Sequence, residues 1–150
     1  MYTKINEKDS AMKLGAIYSK EKTTFTLFSP VADSVFVIFY DKGNDSAETG
    51  RLEMMRGEGE LRSIFSATAE GNLDGVYYTY EVHTSDGTFS SHDPYARACG
   101  VNGHRSMVID LSKTNPDGFA DEDRPKLADP MSMVITEVSV ADVSAGASAH

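Results

Sequence analysis

The side chains of this 150-residue chain that could do chemistry are 23 carboxylates, four histidines and a single cysteine. Acid–base catalysis needs two carboxyl groups converging on one bond, one of them held protonated by its surroundings. Here Asp and Glu alternate with apolar positions along strand-like runs or gather in turns, the placing of charges that solvate a surface. His83, His92 and His104 fall in separate runs or turns and His150 is terminal, so no spacing suits a metal ion or a nucleophile–histidine–acid arrangement. Cys99 excludes an internal disulfide. With no histidine and orienting acid beside it, it is expected to be a small packed residue and not a nucleophile. Asn115-Pro116-Asp117-Gly118, with the acidic run Asp121-Glu122-Asp123, supplies only a fragment of the alternating oxygen ligands that calcium requires, and reads as a solvated loop. The sequence therefore predicts no catalytic residue, no metal and no cofactor.

Binding chemistry is left to the aromatic rings. Flat rings stack on flat apolar ligand faces, with hydrogen-bonding groups at the rim. Trp is absent. Tyr78 and Tyr80 share a strand face with Val76 and Val82 and are expected in the core; Tyr77 shares its face with Thr79 and Glu81 and is expected to be exposed. Phe89, just beyond Asp86-Gly87, is read either as an exposed stacking ring or as a cross-strand packing residue.

The elements that must position these rings follow a period of two. Phe25 and Leu27 take one face of a run against Thr24, Thr26 and Phe28, and Val35, Val37 and Phe39 alternate with Phe36, Ile38 and Tyr40, apolar on both faces as in a central strand. Further runs lie at 52–56, 61–67, 76–84, 88–92 and 106–111, separated by turns rich in Gly, Asn and Asp, such as Asp41-Lys42-Gly43-Asn44-Asp45. Asp86-Gly87 predicts a tight hairpin, because it supplies the positive φ such a turn needs. About seven short antiparallel strands without a helical window predict an all-β, immunoglobulin-like sandwich over residues 13–114. Residues 1–12 read as a flexible N-terminus and 115–132, with Pro116, Pro125 and Pro130, as a linker.

Composition narrows the function classes. At 40% hydrophobic and 25% charged, the chain has the balance of one soluble globular domain. A net charge of −9 with 14 scattered basic residues argues against nucleic acid, whose phosphates need clustered Lys and Arg. No stretch approaches the roughly 18 apolar residues of a membrane span. The first residues lack an apolar signal core, so cytoplasmic residence is the expectation.

Four segments in register carry a family resemblance over residues 12–144. Leu14-Gly15-Ala16-Ile17-Tyr18 comes first, then Thr24-Phe25-Thr26-Leu27-Phe28-Ser29-Pro30-Val31-Ala32-Asp33, where Trp often stands in the family at Phe28. Asp74-Gly75-Val76-Tyr77-Tyr78-Thr79-Tyr80-Glu81-Val82 follows, and last Asp93-Pro94-Tyr95-Ala96-Arg97-Ala98-Cys99-Gly100-Val101-Asn102-Gly103. Together they resemble the family 48 carbohydrate-binding module, or isoamylase N-terminal domain, that precedes the catalytic barrel of type I pullulanases in glycoside hydrolase family 13. Residues 133–144 are similar to the first barrel strand of that family, but Thr136, Ser139, Ala141 and Val143 replace the expected Tyr, His, Arg and Phe. Residues 133–150 read as a remnant of that strand, able to pair with a sandwich edge or with a second copy of the chain, giving a homodimer.

The resemblance implies a noncatalytic module of a starch- or glycogen-debranching enzyme. Its partners would be the catalytic (β/α)8 barrel, packed against Asp93, Pro94, Tyr95 and Asn102, and α-glucan, bound weakly through Phe89 and Tyr77. In glycogen-binding relatives an aromatic residue beyond the hairpin stacks on sugar, and the basic residue they carry on the preceding strand has no match here. Cleavage in this family uses two carboxyl groups about 5 to 5.5 Å apart at the ends of barrel strands, which this sequence does not contain. The alternative reading is a free-standing sandwich that acts as a protein-interaction domain through strand pairing.

Overall fold

The computed structural model describes residues 13–123, 126 and 128–141. The chain divides into two units, Met1–Thr114 and Asn115–His150. The described residues of the first form nine antiparallel strands: β1 (Gly15–Tyr18), β2 (Lys22–Phe28), β3 (Ser34–Tyr40), β4 (Glu48–Arg56), β5 (Ile64–Glu70), β6 (Tyr77–Thr84), β7 (Gly87–Ser91), β8 (Ala98–Cys99) and β9 (Ser106–Met107). Their order is β1-β2-β5-β4-β3-β6-β9-β8, with β7 also paired to β6. β4 belongs to both layers: most of it pairs with β3, while Met55 and Arg56 pair with β5, so the sheet curls over at that strand into the expected sandwich.

β3 is central because both of its faces are apolar. Val35 and Val37 point into the core between the layers, and Ile38 is buried on the opposite face, opposite Arg51 and Thr79 on the neighbouring strands. Phe25, Phe65, Tyr78 and Tyr80 supply the bulk of the core, with Tyr78 edge-on to Phe25 at 5.0 Å and to Tyr80 at 5.8 Å between ring centroids. Each fully buried ring or branched side chain contributes on the order of 2 kcal/mol by leaving water. Val108 closes the core; its N–H donates to Val76 O and its carbonyl accepts from Gly75 N–H, both at 2.9 Å.

Several local expectations need correction. Of the run 106–111 only Ser106 and Met107 pair, because Asp110 accepts from Ser112 N–H and Oγ at 3.0 and 2.6 Å and turns the chain into a single 3-10 turn at Leu111–Lys113. The hairpin turns one residue early: Thr84 pairs with Gly87, leaving Ser85 and Asp86 at the tip, since Thr84 Oγ1 accepts from Asp86 N–H and donates to Gly87 O. Cys99, expected to be packed, is exposed, because β8 is a two-residue edge strand with nothing laid over that side chain.

In the second unit, residues 133–139 form no strand. Strand backbone needs a neighbouring strand to satisfy its N–H and C=O groups, and the described part of this unit contains none. Val134, 92% exposed, shows that β-propensity alone does not hold the segment in a sheet. The flexible N-terminus expected over residues 1–12 and the part of the remnant strand over 142–150 lie outside the described residues. Among the described residues no helix is long and apolar enough to cross a membrane.

Candidate functional site

Asp93 anchors the first feature that could serve binding. It stands just after β7 and is 3% exposed. Its Oδ2 accepts from Tyr78 Oη at 2.7 Å and Tyr80 Oη at 3.2 Å, its Oδ1 accepts from Tyr95 N–H at 2.8 Å, and its own N–H donates to Ser106 Oγ at 2.8 Å. Among the described residues it makes no ion pair, so neutral donors alone satisfy the buried carboxylate. Burial pushes the Tyr78 hydroxyl well above its ordinary pKa, helped by its hydrogen bond to Asp93 and then by that residue's charge; Tyr80 is raised by burial, then by the Asp93 charge and hydrogen bond. The expected packing residue Asp93 thus faces inward. What the turn presents outward is Pro94 and Tyr95, which is 53% exposed and seated over Gly15, where an added Cβ would come within 2.8 Å of the Tyr95 Cβ.

Beside that turn runs a mostly apolar groove of about 280 Å³, walled by Ala16 and Ile17 of β1, Ala96, Ile109 and Leu111, with Lys13 and Arg97 also in its lining. At one end of β1, Tyr18 Oη donates to Asn72 Oδ1, and burial, followed by the nearby Asp110 and Asp74 charges, raises its pKa. Asp74 is held below the usual carboxylate range by Lys113 Nζ at 2.6 Å and by the Asp110 N–H.

The two rings nominated for stacking are not brought together. Phe89 pairs with Val82, so it lies on the core side of the sheet, beyond the cover of the other layer, and is 53% exposed. Tyr77 lies on the opposite face, half-buried, with its ring against Gly43, where an added Cβ would sit 3.1 Å from Tyr77 Cε1.

On Tyr77's face the turns 41–47 and 100–105 meet. Asn44, Asp45, Val101, Asn102, His104 and Arg105 line a second cleft of about 280 Å³. Asp45 (φ 47°) and Asn102 (φ 54°) are the non-glycine residues with left-handed backbone among those described, and both stand on this cleft. Asn44 Nδ2 donates to Asp45 Oδ2 at 3.0 Å. Arg105 lies over the Tyr40 ring, its Cζ 3.5 Å from the centroid, and donates from Nη1 to Lys42 O at 2.7 Å and Ser46 Oγ at 2.8 Å, and from Nη2 to Ser46 O at 2.9 Å. Of these lining residues the sequence nominated Asn102 alone, for packing. The signal for the others was only that Asn44-Asp45 and Asn102-Gly103 are turn dipeptides, with no local period relating one turn to the other. Among the described residues no group of three or more His, Cys, Asp or Glu is placed to hold a metal ion.

The carbohydrate-binding module 48 (isoamylase N-terminal domain) family model matches residues 13–96. Pullulanase A of Streptococcus pneumoniae serotype 4 is 31% identical over 116 residues, which is 73% of this chain and 9% of that protein. The crystal structure of pullulanase from Paenibacillus barengoltzii in complex with maltohexaose and α-cyclodextrin superimposes with a TM-score of 0.71 at 35% identity, over 79% of this chain and 18% of that one. Pullulanase from Bacillus acidopullulyticus gives a TM-score of 0.71 at 34% identity, over 79% of this chain and 14% of that one. The chain thus spans under a fifth of the length of these relatives, and the family model's match covers β1 to β7 with the turn 41–47 of the polar cleft. With the sandwich, the strand order and the sequence in agreement, this chain belongs to the family of carbohydrate-binding module 48, the isoamylase N-terminal domain.

Proposed function

We propose that this chain is the noncatalytic module of a pullulanase-like α-glucan debranching enzyme, packing against the catalytic barrel and binding α-glucan weakly. The observation that carries the binding role is the polar cleft with Asp45 and Asn102 at its edges. A left-handed backbone costs residues other than glycine, Asp and Asn least among them, and glycine occupies the other such positions described. Side chains kept at these two positions offer a carboxylate and an amide to one cavity, and His104 and Asn44 add further donors and acceptors. Both donor and acceptor groups, with the exposed apolar Val101 among them, suit a neutral polyhydroxylated ring better than a charged ligand.

Pro94, Tyr95, Ile17 and Leu111 form the apolar surface beside the groove and support the packing role, with Asp93 holding the turn from inside. The test of the binding role is a titration of the whole chain with maltohexaose and with branched glucan. We expect dissociation constants of about a millimolar, since one open cleft buries little ligand surface. Asn102→Gly, which relieves the backbone while deleting the amide, should weaken binding, and Phe89→Ala should not. The reverse result moves the sugar to the Phe89 face and overturns the cleft reading.

A strand-pairing interaction module is a second reading that β7 alone favours. Its free edge, Gly87-Thr88-Phe89-Ser90-Ser91, carries no charge or proline to discourage addition of another strand. Homodimer formation would then run through β7 and not through residues 133–143. A monomer at high concentration by analytical ultracentrifugation overturns it.

A further inference from the structure

We propose that Arg105 is the positioning residue of the polar cleft: it locks the turn 41–47, one wall, to the turn 100–105, the other. This rests on the reading of the cleft as an α-glucan site. The two turns touch backbone to backbone at glycines. A Cβ built on Gly100 would lie 2.5 Å from Gly43 Cα, and one built on Gly43 would lie 2.8 Å from Gly100 Cα. At that crossing neither turn contributes a side chain of its own; the Tyr77 ring of β6 packs against Gly43 and makes no hydrogen bond to either wall among the described residues. Arg105 supplies the interlock, because its planar guanidinium reaches across to Lys42 O and to both Ser46 oxygens while its flat face rests on Tyr40 at the end of β3. Its own turn is closed by Gly100 N–H donating to Arg105 O at 2.8 Å, so the side chain starts from a fixed backbone. Asp45 on one turn and Asn102 on the other, both lining the cleft, are therefore tied together by a side-chain clamp as well as by the glycine crossing. A lysine at 105 would keep the charge and lose the fork, so charge and positioning can be separated.

The experiment compares the whole chain with Arg105→Lys, and with Ser46→Ala as a milder second variant that deletes one acceptor and leaves Arg105 its bonds to Lys42 O and Ser46 O. Three readouts are taken: amide hydrogen exchange over 41–47, tryptic cleavage after Lys42, and maltohexaose titration, each beside the thermal midpoint. The expected result is faster exchange and cleavage confined to 41–47, with maltohexaose affinity reduced on the order of tenfold in Arg105→Lys and less in Ser46→Ala. A thermal midpoint that falls with exchange rising evenly over all strands marks Arg105 as a stability pin and overturns the proposal. Unchanged exchange at 41–47 overturns it as well, as does a loosened loop with full affinity. If the unaltered chain binds no maltohexaose, the glucan reading fails and the clamp has no site to position; the exchange data still report separately whether Arg105 holds the loop.

Discussion

Tyr78 and Asp93 meet in the interior with the phenol donating to the carboxylate at 2.7 Å, and the same oxygen takes the Tyr80 hydroxyl. One acid thereby satisfies two buried tyrosines and fixes the turn that follows β7. Removing it leaves two buried hydroxyls and the Tyr95 N–H without an acceptor. Asp93→Ala is expected to cost about 3 kcal/mol, from roughly 1 to 3 kcal/mol for each orphaned buried group with partial relaxation. Asp93→Asn, which keeps one acceptor oxygen, should lose less. Urea unfolding of the three proteins ranks them, and an Asp93→Ala midpoint equal to the parent's would remove the carboxylate from this role.

Alkali should unfold the module through the same two phenols. Their folded pKa values are raised above the ordinary tyrosine value by burial first and by Asp93 second. A group whose folded pKa is raised contributes stability that is complete below its unfolded pKa, about 10, and is lost as pH climbs above it. Urea midpoints should be flat from about pH 8 to 9.5 and fall beyond 10. Tyr80→Phe should make that fall shallower. A midpoint that declines equally in the variant would show that other groups drive the alkaline loss.

Thr23 Oγ1, on β2, is buried without a hydrogen-bond partner among the described residues. Thr23→Val replaces that hydroxyl with a methyl group of similar volume, so the chain should gain about 1 kcal/mol of stability. Calorimetry decides, and a lower midpoint would mean that the hydroxyl finds a bond in solution.

Cys99 should react with a maleimide in the native state as fast as a small exposed thiol, because it stands uncovered on the edge strand β8. Mass spectrometry of a timed reaction counts the product. Labelling that waits for denaturant would contradict its exposure.

The purified chain should release no reducing sugar from pullulan. Among its described carboxylates Asp93 is tied to two tyrosines, Asp74 is paired with Lys113 and Asp110 caps Ser112, roles that hold the fold, whereas glycosidic cleavage in this family uses two carboxyl groups facing one bond. Release that follows the protein through successive columns would overturn the noncatalytic reading.

The core was legible in the sequence because β2, β3 and β6 alternate or are apolar throughout over seven or eight residues, which places Phe25, Val35, Val37, Tyr78 and Tyr80 inward without reference to any neighbour. The end of the run 106–111 was not, because the Asp110 side chain competes with the ladder for the backbone and period two cannot register that competition. Cys99 misled for a related reason: burial depends on what covers an edge, and edge position is a property of strand order. The polar cleft was illegible because its walls come from two turns distant in sequence, joined by an arginine that reads locally as one more surface charge.

Val108 gives the sandwich a direction in time. As a chain leaves the ribosome, Phe25 and the first hairpin emerge early, yet the core cannot be sealed until Val108, the last of its buried residues, has followed and bonded back to Val76 and Gly75. Three of the eight strand pairs described, β2 with β5, β3 with β6 and β6 with β9, join strands that are not consecutive, so a shorter stretch lacks the partners that close the core. Whatever is synthesised after Thr114 therefore meets either a finished module or none, and a pause in translation before Val108 would leave the aromatic interior open to chaperones and proteases.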